Sequence, residues 1–190
     1  MSEPTSALMN RETGGSVQVR DAGLTGMISL RGDLSNGKLA NAVKSVAGVK
    51  PPSTNGIAVK DGATVLWMSP DELLLMLPYA DTTSAVGSLG SALSGQHHMA
   101  ANVSDARAVL RLEGPYVREV LAKLAPVDLH PDALSDETLV RSRLGQVAAA
   151  FWLSGDSATV ICFRSVADYA FDLLAASAKA GPVGHFPRGT

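Results

Sequence analysis

One five-residue pattern occurs twice in this chain, each time between two apolar runs. Trp67-Met68-Ser69-Pro70-Asp71 joins the run Ala63–Met68 to Glu72–Leu77. Trp152-Leu153-Ser154-Gly155-Asp156 joins Gln146–Leu153 to Ala158–Phe163. Two apolar runs separated by a short group of turn-forming residues make a β-hairpin. Pro70 suits the first central position of a tight turn because its φ is already fixed there. The arms of the first hairpin are almost continuously apolar, so that strand pair is expected to be buried on both faces. The chain therefore reads as two copies of one unit, each centred on this turn.

The residues before each hairpin repeat as well. In Met27–Asp33, Ile28 and Leu30 alternate with Ser29 and Arg31, a half-buried strand. Ala108, Leu110 and Leu112 do the same, which aligns Ile28 with Leu110, Leu30 with Leu112 and Gly32 with Gly114. A helix follows in both copies. In the first, Asp33, Ser35 or Asn36 caps it, Leu39, Val43 and Val46 form its stripe, and Gly48 stops it. In the second, Pro115 opens it and Val117, Val120, Leu121 and Leu124 line it. After each hairpin comes a further helix. Asp81 is expected to cap one, with Val86, Leu89 and Leu93 inward, and Gly87 and Gly90 weaken it by about 1 kcal/mol each. Ser165 and Asp168 form a capping-box pattern at the other, ahead of Val166, Tyr169, Ala170, Leu173 and Leu174. Ser53–Gly62 and Val127–Leu144 read as loops.

Met99–Val103 completes the first copy as βαββαβ, the ferredoxin-like order. The second copy lacks a closing strand, and Val17–Val19 is expected to supply it. The expected class is α+β, two pseudo-repeated ferredoxin-like βαββα units sharing a core. The expected divisions are a tail with an edge strand over 1–22, halves over 23–103 and 104–180, and a tail over 181–190. Residues 1–15 are polar and read as mobile.

Composition excludes several classes. With 46% apolar and 18% charged residues, the chain can bury a core. A net charge of −2 with scattered Arg and Lys gives no electrostatic reason for nucleic-acid binding. No apolar run approaches the roughly 18 residues of a membrane span, and residues 1–20 carry no secretory pattern. A cytoplasmic protein is the expectation.

Catalytic machinery is hard to find. There is no Gly-x-Ser-x-Gly elbow, no Gly-x-Gly-x-x-Gly and no complete Gly-x-x-x-x-Gly-Lys-Ser/Thr, since Gly32–Lys38 has the spacing but runs on into Leu39. Cys162, the single cysteine, lies in an apolar strand and reads as a small core residue. His97, His98, His130 and His185 all read as loop residues, and adjacent strand residues such as His97 and His98 point apart and cannot share one ion. Asp71-Glu72 and Asp156 sit in turns, where Asp commonly bonds the backbone. Trp67 and Trp152 take matching places and read as core. No buried acid is evident, and Asp105 near Arg107 is the nearest candidate. No residue is assigned as catalytic, cofactor-binding or metal-binding.

Six segments, in order over residues 24–178, resemble the gamma subunits of heterotetrameric sarcosine oxidases. They are Trp67–Leu75, similar to Trp-Leu-Gly-Pro-Asp-Glu-Trp-Leu-Leu; Asn102-Val103-Ser104-Asp105-Ala106-Arg107; Leu110–Pro115; Val120–Lys123; Asp128-Leu129-His130-Pro131; and Arg164–Tyr169. The sequence departs from that pattern at Ser69, Leu73, Leu134, Arg141-Ser142 and Val166. These departures bear on the partner surface more than on the fold.

The resemblance implies a fold like the folate-binding domain of the glycine-cleavage aminomethyltransferase. It implies a non-catalytic chain acting in assembly, with alpha, beta and delta chains as partners. The complex would oxidatively demethylate sarcosine to glycine with oxygen and tetrahydrofolate. FAD, FMN, NAD and tetrahydrofolate would be bound by the partner chains and none by this one. The alternative is a stand-alone folate-binding or one-carbon transfer protein, which needs a buried carboxylate for the pterin ring and a basic site for the glutamate tail.

Overall fold

A computed structural model of the chain describes residues 3–186. The backbone forms β1 (Glu12–Thr13), β2 (Gln18–Asp21), β3 (Gly26–Gly32), α1 (Gly37–Ala47), β4 (Ile57–Lys60), β5 (Ala63–Ser69) and β6 (Glu72–Leu77). It continues through α2 (Thr82–Ala92), β7 (His98–Asn102), β8 (Arg107–Glu113), α3 (Val117–Ala122) and β9 (Val140–Leu144). Last come β10 (Val147–Ser154), β11 (Ser157–Phe163) and α4 (Ala167–Lys179). The class is α+β, with two antiparallel sheets. Two compact units result, Leu24–Ser104 and the combination of Met1–Gly23 with Asp105–Thr190.

In the Leu24–Ser104 unit the strand order is β4-β5-β6-β3-β7. Ile28, Leu30, Val65, Leu73 and Leu75 face Leu39, Val43 and Leu89 of α1 and α2 in one apolar cluster. Met27, Leu66 and Leu74, from the opposite sheet face, are buried too. Asn36 caps α1 by accepting the Lys38 N–H at 2.8 Å, and Gly48 ends it at φ +73°. Asp81 makes no side-chain cap for α2; a 3-10 turn over Tyr79–Asp81 leads into the helix instead.

The other unit has the order β1-β2-β8-β11-β10-β9. Its cluster joins Leu110, Leu112, Phe151, Leu153 and Val160 of the sheet to Val120, Leu121, Phe171 and Leu174 of α3 and α4. β2 pairs with β8 from Gln18↔Glu113 to Asp21↔Leu110, so the chain's start supplies the strand beside β8. Ser165 and Asp168 do not form the expected capping box. A 3-10 turn over Arg164–Val166 precedes α4, and Asp168 accepts a hydrogen bond from Arg11 instead.

Three readings of the loops and tails change. Residues 3–15 are not a mobile tail: Ser6 and Leu8 are buried, and β1 pairs with β2. Asp21 organises this segment, its carboxylate accepting from Ser6 Oγ at 2.5 Å, Asn10 N at 3.0 Å and Gly23 N at 3.1 Å. Arg11 adds ion pairs to Asp168 and Asp172 and stacks over the Phe171 ring. The Ser53–Gly62 loop contains β4, joined to β5 through Asp61 and Gly62, both at positive φ. Asp-Gly between two β-prone stretches is a strong two-residue hairpin pattern, and it was present in the sequence. The Val127–Leu144 loop contains β9, turned into β10 at Gly145 (φ +58°).

The two centred hairpins are not built alike. In β10–β11 the pairing runs unbroken from Ala149↔Cys162 to Ser154↔Ser157. In β5–β6 a bulge between Trp67 and Ser69 leaves Met68 over. A bulge shifts side-chain alternation by one. Trp67 consequently packs against its unit's apolar cluster, half-buried. Trp152 points to the face opposite Phe151 and Leu153, and is 8% exposed. The expectation of matching places for the two tryptophans is therefore corrected.

Candidate functional site

Among the described residues three acids are buried, contrary to the sequence reading: Asp21, Glu72 and Glu119. Each already has partners. Glu72, at the start of β6, accepts from Ser29 Oγ and from the Arg31 guanidinium of the neighbouring β3, both at 2.8 Å. The pairing register sets Arg31 directly opposite Glu72, which is why they meet. Glu119 on α3 accepts backbone N–H groups of Val183 at 2.5 Å, Gly184 at 3.0 Å and Phe186 at 3.4 Å. Burial alone would raise its pKa, but these backbone donors outweigh burial and hold it below the usual carboxylate range. The acids were missed because their burial comes from partners remote in sequence.

Of the acids singled out in turns, Asp71 is exposed and accepts from Ser69 Oγ at 2.5 Å. That hydroxyl lowers its pKa. Asp156 is exposed, and its carbonyl accepts the Gly114 N–H at 2.8 Å. Asp105 lies in a 3-10 turn over Ser104–Ala106, and Arg107 stacks over Phe163. The segment ahead of them is fixed by Asn102, whose side chain accepts from Ser104 N at 3.0 Å and Ser104 Oγ at 2.6 Å.

The Cys162 thiol is buried, and desolvation pushes its pKa up to about 11, so it is a neutral thiol at pH 7. His98 is the first residue of β7, not a loop residue, and its Nδ1 lies 2.9 Å from the Gln96 carbonyl. His130 accepts the Asp132 N–H at 3.2 Å and meets Phe186 edge-on. His185 also meets Phe186, with centroids 5.1 Å apart. None of the histidines shares a hydrogen bond with a Ser, Thr or Cys side chain among the described residues. Nor do the described residues include three His, Cys, Asp or Glu side chains placed to hold a metal.

The Asp128–Leu144 segment is held by Arg118 of α3. Its guanidinium donates to the carbonyls of Leu129 at 2.9 Å and Leu134 at 3.0 Å, and to Asp136 at 2.7 Å. The other Asp136 oxygen accepts the Gly155 N–H at 2.6 Å, which ties the segment to the β10–β11 turn. Asp128 in turn accepts the His130 N–H at 2.9 Å. Asp128-Leu129-His130-Pro131 is thus a structural corner.

An open groove of about 690 Å³ lies in the Leu24–Ser104 unit, lined among others by Ser45, Lys60, Asp61, Asp81, Ser84 and Ser88. Its serine hydroxyls donate to carbonyls of their own helical turns, Ala42, Asp81 and Ser84. The groove's charged groups are of mixed sign, so it makes no focused site for a singly charged ligand.

The sarcosine oxidase gamma-subunit family matches residues 31–180. The sarcosine oxidase subunit gamma of Corynebacterium sp. (strain P-1) is 29% identical over 160 residues, covering 84% of this chain and 78% of that one. The protein of the same name from Corynebacterium sp. (strain U-96) is 30% identical over 154 residues, covering 78% and 72%. A chain of the heterotetrameric sarcosine oxidase from Corynebacterium sp. U-96 superposes with TM-score 0.79 at 26% identity, covering 89% of this chain and 88% of that one. The glycine cleavage system aminomethyltransferase T from Bartonella henselae gives TM-score 0.61 at 15% identity, over 88% of this chain and 47% of that one. That second likeness is one of fold alone. With nearly its whole length matched in sequence and in structure, the chain belongs to the sarcosine oxidase gamma-subunit family.

Proposed function

We propose that this chain is the gamma subunit of a heterotetrameric sarcosine oxidase and acts in the assembly and stability of that complex. The observation that carries the reading is the family match over residues 31–180, with a relative matched over 84% of this chain and 78% of its own length. The partners are the alpha, beta and delta chains, and the complex works in the cytoplasm, demethylating sarcosine to glycine. FAD, FMN, NAD and tetrahydrofolate belong to those chains. The side chains described here fit a subunit without chemistry of its own: the buried acids are consumed by structural bonds, and the one thiol is neutral.

The two units follow one ferredoxin-like plan, on this reading, with halves over 23–103 and 104–180. The orders β5-β6-β3-β7 and β10-β11-β8-β2 support it, since β2 takes in one sheet the place β7 takes in the other. The fold shared with aminomethyltransferase T does not bring folate binding with it. A pterin site needs a buried carboxylate left to the ligand, whereas Asp21, Glu72 and Glu119 are all engaged.

The test is recovery of the tagged chain from its source cells, with an absorption spectrum of the eluate. Larger chains with a flavin spectrum that bleaches on addition of sarcosine are the expected outcome. Recovery of a lone colourless chain whose melting temperature rises with folate would replace this reading with the stand-alone one.

A further inference from the structure

The chain's last described residues make a site that the subunit reading does not use. Glu119, 4% exposed, belongs to a helix of six residues. Its carboxylate accepts the backbone N–H groups of Val183, Gly184 and Phe186. A run of backbone donors folded around an anion is usually found where a protein binds a ligand. Here the protein supplies the anion and a peptide supplies the donors.

The rest of the seat is equally specific. Gly184 has φ +73° and Gly181 has φ +74°, the left-handed region that lets backbone donors turn to one side. Lys123 donates to the Gly181 carbonyl at 2.7 Å and to the Ser177 carbonyl at 2.8 Å, fixing where the segment leaves α4. The Phe186 ring packs on the apolar cluster, edge-on to His130 and His185. Between these anchors Val183 stands 74% exposed, so the segment lies across the surface.

We propose that residues 181–186 form a reversible strap, and that Glu119 with the Phe186 contact is a peptide-binding seat filled by the chain itself. The ligand class is a short extended peptide with free N–H groups, a glycine that takes positive φ and an aromatic residue two positions later. Opening the strap frees the carboxylate and uncovers apolar surface beside α3 without unfolding the unit.

Amide hydrogen exchange of the full chain tests this, read at Val183, Gly184 and Phe186 against α4. In the wild type these amides should exchange at least about tenfold more slowly than in an unstructured peptide. They should also open at denaturant concentrations that leave α4 protected. Glu119→Gln should remove most of that protection. Gly184→Val, which leaves the carboxylate in place, should release the strap as well. The full chain carrying Gly184→Val should then bind a labelled peptide of the Pro182–Phe186 sequence saturably, and Glu119→Gln in the same chain should abolish that binding. Absence of protection in the wild type, or exchange in step with α4, would overturn the reversible strap. Absence of saturable peptide binding would overturn the seat.

Discussion

The two hairpins share Trp, Ser and Asp at matching positions of their five-residue turns, yet they set their tryptophans on different faces. Gly155, at φ +54°, is glycine at the first central position of a two-residue turn. That is the requirement of a type II′ turn, whose twist matches the strands it joins. The β10–β11 ladder accordingly runs regularly into the turn. Pro70 occupies the same place in the other hairpin and is locked at negative φ. A primed turn is closed to it, and the ladder takes up the difference as the bulge at Met68. One substitution in a turn therefore decides which side of a sheet a large aromatic side chain faces. Similar sequence at matching positions does not mean similar environment once a bulge intervenes.

The largest effect should separate the two tryptophans. Trp152→Ala should cost about 3–5 kcal/mol, as for a fully enclosed aromatic. Trp67→Ala should cost roughly half of that, because its site is open to water on one side. Urea denaturation of both variants measures the gap, and equal losses would break the comparison. Next in size is the ion pair beside the bulged hairpin. Glu72→Gln leaves Ser29 a partner but weakens the link to Arg31, whose side chain is 52% exposed and can rehydrate. A loss of about 1–2 kcal/mol is expected by the same measurement.

The turns themselves should differ more mildly. Gly155→Ala forces a side chain into positive φ and should cost about 1 kcal/mol, whereas Pro70→Ala should cost about 0.5 kcal/mol through added freedom of the unfolded chain. Pro70→Gly sharpens the point. It admits the primed turn, and an NMR structure of the hairpin would show whether the bulge disappears.

The smallest effect is in the pH profile. The Glu119 carboxyl is held below its ordinary range when folded, chiefly against burial and by the N–H groups of Val183 and Gly184. A depressed folded pKa gives stability that is complete above the unfolded value and is lost as pH falls through the folded one. Glu119→Gln should thus lower the melting temperature at neutral pH and lose less of it on acidification. Melting curves from pH ~6 down to pH ~3 check this. Parallel curves for the two proteins would remove Glu119 from the acid response.

Much of the fold was legible because it depends on local rules. The alternation of Ile28 and Leu30 and of Leu110 and Leu112 marked β3 and β8, and the Leu39-Val43-Val46 stripe with Gly48 marked α1. The strands β4 and β9 were harder, being short and only half-apolar. Asp61-Gly62 could have revealed the first of them. Caps were least reliable. Asp81 and Ser165 each have the right chemistry, yet 3-10 turns already lead into α2 and α4.

The candidate site divides along the same line. The sequence by itself determined that Cys162 lies in an apolar strand, that Asp71 and Asp156 belong to turns, and that no phosphate loop or nucleophile elbow is present. These follow from neighbours a few residues away. Only the tertiary structure decided that Glu72 meets Ser29 and Arg31, that Asp21 gathers the chain's start, and that Glu119 holds residues 183–186. It also decided the face of Trp67. Burial and hydrogen bonding of a charged group depend on which distant segments surround it, and strand register, which a single bulge can shift, sets that encounter.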